Sequence, residues 1–229
     1  GLGGRILADA NGKGDIKAYI SNPNVNLALN GDGKLDVRAV VGTEGTLTVI
    51  KDLGMKEPFT GQVSLVSGEL GEDFTYYMAN SEQIPSAIGL SVLVDTDDSI
   101  KAAGGFMIQV MPDASDEAIT KVEQNIAAIP LVSRLMENGE TPEQILARIL
   151  GEENVEVLEK MPVRFHCDCS RERFAGGLSS IGKDELHEMI VEDHGAEVVC
   201  HFCGEKYHYS EADLQELVTA IDEKRAANI

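Results

Sequence analysis

The chain has no tryptophan, and only 5% of its residues are aromatic. Basic residues are scarce too: 19 Lys and Arg stand against 39 Asp and Glu, for a formal net charge of −20. That balance argues against nucleic acid as a partner, because phosphate binding needs a basic surface. The acidity is not one tail, since residues 151–229 hold 18 acidic and 8 basic residues and the rest of the chain has a similar excess. It reads as a device for solubility. No apolar run is long enough to span a bilayer, so no membrane partner is expected. No signal-peptide pattern opens the chain. There is no P-loop lysine motif, no G-x-S-x-G elbow and no H-E-x-x-H. Gly1-Leu-Gly-Gly4 and Gly42-Thr-Glu-Gly45 match no phosphate loop, and Glu69, Glu72 and Asp73 read as solvated turn residues. No catalytic residue is assigned, and the chain is not expected to be an enzyme.

Cysteine is also sparse, but the four present are concentrated. Cys167, Cys169, Cys200 and Cys203 form a C-x-C pair and a C-x-x-C pair separated by 30 residues. Two short thiol pairs flanking a small insert can converge on one tetrahedral Zn²⁺, and no cysteine is left over. Val163 and Phe165 suggest a short strand before the first pair, and Ala196, Val198 and Val199 another before the second. Gly204 permits a tight turn behind the second pair. Tyr207 and Tyr209 are placed to cover one side of the site. Between the pairs, Leu186, Met189 and Ile190 have helical spacing. His166, His201 and His208 lie close by and read as bystanders, because four sulfurs already fill a structural site. Thiol pairs of this kind without an export signal point to a reducing, cytoplasmic setting.

The rest of the chain divides by pattern. Residues 1–112 read as a sheet-rich core domain, with strands near Ile6, Ile16–Ile20, Gly45–Ile50 and Thr60–Val66, and turns at Asn11–Gly14, Ser21–Asn24, Asn30–Gly33 and Ser81–Pro85. The stretch Glu72–Met78 fits either a helix or an extended strand. Ser86–Val94 and Gly104–Met111 suit buried strands. Residues 113–160 read as a helical linker. Ser115 caps an apolar face at Ile119, Val122 and Ile126, and Asn138-Gly139 stops a second helix. Thr141-Pro-Glu-Gln144 is a capping box for a third, whose apolar face is Ile145, Leu146, Ile149 and Leu150. Short helices broken in this way are marginal alone in water and need a surface to lie on. Residues 161–229 form the zinc-binding domain, closed by a helix that Ser210 and Asp213 cap. The fold class is α+β: a sheet-rich core, a helical linker packed on it and a small C-terminal zinc-binding domain.

In this order the elements resemble the heat-shock protein 33 family. Pro162-Val-Arg-Phe-His-Cys167 and Val199-Cys-His-Phe-Cys203 look like its zinc region. Gly68–Tyr77, Ser81–Ser86 and Ala103–Phe106 resemble its core domain. Members of that family begin earlier. This chain opens at Gly1 without an initiator Met, directly in a glycine-rich turn, so a segment in front is expected. The resemblance implies a redox-regulated bacterial holdase of the stress response, which is zinc-bound and a poor chaperone when reduced. It implies one Zn²⁺ on Cys167, Cys169, Cys200 and Cys203. It also implies Cys167–Cys169 and Cys200–Cys203 disulfides after oxidation, with zinc release and unfolding of the zinc region and linker. Unfolded or partly folded client proteins are the implied partners, bound without ATP, and the family forms homodimers. Two rival readings remain at this stage. One is a structural zinc module in a protein–protein adaptor. The other is a thiol–disulfide oxidoreductase using Cys200 and Cys203, which requires a helix N-terminus at that pair.

Overall fold

The computed structural model describes residues 1–31 and 35–227. The fold is α+β, and the chain divides into two compact units. One comprises residues 1–5 and 21–160, the other residues 6–20 and 161–229. The expected turn at Asn30–Gly33 falls partly outside the described residues.

In the first unit, α1 (Val37–Val41) is a short helix that the sequence reading did not assign, and the Asp36 side chain caps it by accepting from the Ala39 amide. The strands β3 (Thr46–Lys51) and β4 (Phe59–Ser64) pair in an antiparallel ribbon. The ambiguous stretch after it is helical, α2 (Leu70–Asn80), with Tyr77 and Met78 buried. Asp73 was expected in solvent, but it is buried. Its carboxylate accepts from the amides of Val66 (2.8 Å), Ser67 (3.0 Å) and Gly68 (3.0 Å), so it satisfies the loop that enters the helix.

A second antiparallel ribbon joins β5 (Ser86–Val94) to β6 (Ile100–Gln109). These strands are buried on one face rather than two. Phe106 and Ile108 point into the core, whereas Leu90 (53%), Val92 (55%) and Met107 (55%) stay exposed. Of the three linker helices, α3 (Asp116–Ala128), α4 (Val132–Glu137) and α5 (Pro142–Leu150), α4 lies directly on the ribbon, while α3 and α5 pack on each other and join the same apolar cluster. Gly104 lets α4 sit close, because a Cβ there would fall 2.3 Å from the Met136 sulfur and 3.2 Å from a Val132 methyl. Val132, Leu135, Ile145 and Ile149 form the buried centre, and Val122, Ile126 and Phe106 pack around them. The capping box at Thr141 and Gln144 is present in both directions.

In the second unit, β1 (Ile6–Ala10) and β2 (Asp15–Ile20) form a hairpin, and β7 (Arg164–Phe165) adds to β2 in parallel. The sequence assigned this hairpin to the sheet-rich core. It packs instead with residues 161–229, because the edge of β2 is completed there. The Arg164 amide donates to the Gly14 carbonyl (2.9 Å), the His166 amide donates to that of Ile16 (3.1 Å), and the Arg164 guanidinium meets Asp15 at 2.7 Å. The remaining elements are α6 (Arg171–Ile181), α7 (Lys183–Val191), β8 (Gly195–Val199), β9 (Lys206–Ser210) and α8 (Glu211–Ala227). Leu178, Leu186, Tyr209, Leu214 and Val218 make its core. The helix α6 is absent from the sequence reading. Its signals are short: Ser170 accepts from the Arg173 amide as an N-cap, and Phe174 and Leu178 lie one turn apart.

Candidate metal centre

Two turns at strand ends carry the four cysteines. Cys167 and Cys169 follow β7, and Ser170 then caps α6. Cys200 directly follows β8, and the chain turns through Cys203 and Gly204 into β9. That turn is a closed knuckle: the Gly204 amide donates to the Cys200 carbonyl and the Cys200 amide to the Glu205 carbonyl, each at 2.8 Å. Gly204 takes φ +77°, a left-handed conformation that suits glycine. The antiparallel register of β8 and β9, with Val199 opposite Lys206, fixes the knuckle. No helix begins at Cys203, which removes the feature an oxidoreductase reading of that pair required.

The four sulfurs lie within 4.8 Å of one another. Cys167 and Cys200 approach to 3.6 Å, Cys169 and Cys203 to 3.4 Å. A tetrahedron of sulfurs about 2.3 Å from a Zn²⁺ has edges of about 3.8 Å, so the spacing fits a closed four-thiolate site. Both of these approaches join one pair to the other. All four sulfurs are thus close enough to share one ion.

The electrostatics also call for a cation. Burial pushes the Cys200 thiol up, but the Cys203 and Phe202 amides and the Cys167 and Cys203 sulfurs outweigh it and bring it to about 7. The Glu205 amide lowers Cys203, yet the Cys169 sulfur, desolvation and the Cys200 and Cys167 sulfurs push it up to about 12. Cys167 is drawn down by the Cys169 amide and raised more strongly by desolvation and the neighbouring sulfurs. Four sulfurs this close cannot all ionise without compensation, and a divalent ion supplies it.

Residues around the sulfurs hold both turns. Asp168, inside C-x-C, receives Lys17 of β2 at 2.6 Å and also meets Arg173. Lys17 holds the Asp168 carboxyl down at about 2. Inside C-x-x-C, His201 stacks on Tyr19 and Phe202 meets the same ring edge-on, both with centroids 5.5 Å apart. Lys17 and Tyr19, two residues apart on one strand, therefore reach the intervening residues of both cysteine pairs. Local sequence gave no sign of this, because the partners are about 150 to 180 residues away. Tyr207 does cover the site, and its hydroxyl lies 3.2 Å from the Cys169 sulfur. That sulfur pushes the hydroxyl up, which keeps it protonated. The three histidines stand outside the sulfur cluster: His201 against Tyr19, His208 3.4 Å from Glu197, and His166 hydrogen-bonded through its backbone to β2.

A family model described as "Hsp33 protein" matches residues 1–210. A protein named 33 kDa chaperonin from Enterococcus faecalis is 64% identical over 217 residues, spanning 95% of this chain and 73% of its own length. One of the same name from Staphylococcus aureus is 56% identical over 218 residues, or 95% of this chain and 74% of its own. Among solved structures, the 33 kDa chaperonin (heat shock protein 33 homolog) of Thermotoga maritima superposes with a TM-score of 0.87 at 40% identity, covering 97% of this chain and 76% of that one. The similarity spans the sheet-rich core, the linker helices and the four-cysteine module alike, and the chain belongs to the Hsp33 family.

Proposed function

We propose that the chain is a redox-regulated, ATP-independent holdase chaperone. In this reading it binds one Zn²⁺ and is inactive when reduced, and disulfide formation with zinc release activates it. The observation that carries this is the meeting of all four cysteines at ligand spacing, in a module whose other means of stability are small. The names of its relatives support the chaperone part.

Bound zinc supplies a cross-link between the two turns and keeps the four sulfurs as thiolates. In small modules such ligation is worth roughly 10–16 kcal/mol of folding free energy. The core around Leu186 and Leu214 is too small to replace it. Thiolates are also the form that hydrogen peroxide attacks. One sulfur of a pair gives an electron pair to a peroxide oxygen, the O–O bond breaks, and hydroxide leaves as water after taking up a proton. The second sulfur then displaces the hydroxyl of the sulfenic acid, which departs as another water. Each disulfide thus gives two electrons to one peroxide, which ends as two waters. The pairing proposed is Cys167–Cys169 with Cys200–Cys203, because partners two or three residues apart in sequence stay near each other once the shared ion has gone.

Losing both turns removes the anchor at the far end of the linker. Undocking α3, α4 and α5 would expose Val132, Ile145 and Ile149 together with the Phe106 face of β6. An apolar patch of that kind suits unfolding clients. The working form is a cytoplasmic homodimer whose partners are client proteins rather than nucleic acid or membranes, and it catalyses no reaction.

The deciding experiment measures zinc content and suppression of client aggregation before and after peroxide. Zinc release that parallels a gain of holdase activity is expected. Unchanged client binding after full oxidation would favour a structural zinc adaptor instead.

A further inference from the structure

The contact between Tyr207 and Cys169 is set by three elements. β9 carries Tyr207 opposite Val198 of β8. α6 packs the Phe174 ring against the Tyr207 ring, with centroids 5.2 Å apart and planes tilted by 42°. The turn before α6 presents the Cys169 sulfur to the phenol oxygen at 3.2 Å. Among the described residues, no other side-chain hydroxyl contacts a cysteine sulfur. In the zinc-bound state proposed above Cys169 is a thiolate with no proton to give, so there the phenol donates and the sulfur accepts. Hydrogen bonds to an ionised acceptor are the strong kind, and partners of this type tune the ligands they touch.

We propose that Tyr207 is a positioning residue that sets the reactivity of Cys169, its hydroxyl occupying one sulfur lone pair and holding back attack on oxidants. This rests on the redox reading above. The electron pair that would form the S–O bond with hydrogen peroxide is drawn toward the phenol proton, so the sulfur is a poorer nucleophile while the hydrogen bond lasts. The same loss applies toward an alkylating agent, where the pair forms an S–C bond and iodide leaves. The arrangement makes the C-x-C pair slow to react until a strong oxidant arrives or the module loosens.

Tyr207→Phe keeps the ring against Phe174 and deletes only the donor. The zinc-loaded, reduced chain is treated with iodoacetamide, and the rate at each cysteine is read by peptide mass spectrometry. Cys169 should alkylate roughly five- to tenfold faster in Y207F, with Cys167 and Cys203 unchanged. Zinc release by hydrogen peroxide should quicken in step. Tyr209→Phe is the control: that hydroxyl donates to the Arg171 carbonyl at 2.6 Å, not to sulfur, so no selective change at Cys169 is expected. An unchanged Cys169 rate in Y207F overturns the proposal, and so does equal acceleration at every cysteine, which marks a loosened site. If Y207F fails to fold, the unsubstituted chain still decides. Cys169 should react more slowly than Cys167, which has a similar degree of exposure and no hydroxyl on its sulfur; equal rates overturn the proposal. If peroxide releases no zinc from the unsubstituted chain, the redox reading falls, while the alkylation rates still judge the role of Tyr207.

Discussion

The side-chain amide of Asn125 donates to the main-chain carbonyl of Ile149 across 2.8 Å, joining α3 to the final turn of α5. Carbonyls in a last helical turn have no partner within their own helix, so this bond fills a real vacancy. Ile149 itself is fully buried. The two residues pin the linker into one packed layer under β6.

Loosening that layer should lower the threshold for activation. Ile149→Ala should cost about 2–5 kcal/mol, and Asn125→Ala about 1–3 kcal/mol by stranding a half-buried carbonyl. Hydrogen exchange in 116–150 should speed up in both variants, and holdase activity should appear at lower peroxide doses. In the unsubstituted chain, zinc removal with oxidation should deprotect the same residues while β5 and β6 stay protected. A linker as protected as those strands at full activity would refute the coupling.

Acid should weaken the linker through Glu143. Its carboxyl, in the first turn of α5, pairs with Lys160 and is held down at about 2 from an ordinary value of 4.5. A depressed carboxylate contributes stability that is fully present above 4.5 and is lost as pH falls through 2. Glu143→Gln should therefore be less stable than the parent at pH 6, with the gap closing as pH falls toward 2. Denaturant unfolding of the two chains across that range is the measurement. The Glu143 side chain is only half-buried and Lys160 is exposed, so the gap should also shrink with salt.

Reduced protein should hold one zinc per chain. Cys169→Ser leaves three sulfur ligands and a position open to water, so zinc affinity should fall by orders of magnitude. Metal analysis after dialysis against a chelator tests both statements; well under one equivalent in the unsubstituted chain would count against the site.

Oxidation poses a choice of pairings. In the folded site the Cys167 sulfur lies 3.6 Å from that of Cys200, and the Cys169 sulfur 3.4 Å from that of Cys203. The proposed disulfides run instead within each pair, on the ground that the module opens as zinc leaves. Peptide mapping after peroxide should find the local pairs. Mainly cross-pair bridges would show that the site oxidises while still closed.

Several features were already legible in the chain because they are local. Cysteine spacing announced that four sulfurs would meet, Ser115 and Thr141 announced helix starts, and Gly139 and Gly204 announced a stop and a turn. Each depends on the conformational preference of a few neighbouring residues, which sequence states directly. The ambiguity at 72–78 and the missed α6 have a related cause. Weak periodicity does not say which face will find a partner, and Phe174 and Leu178 alone make a thin stripe. Tertiary structure alone decided what meets across distance. It placed the 6–20 hairpin beside the cysteine turns, buried Asp73 under three amides, left Leu90 and Val92 exposed, and brought the Tyr207 hydroxyl to Cys169. Alternation along β2 shows that it has two faces and two edges, but the identity of the strand that completes an edge is a long-range choice made by packing.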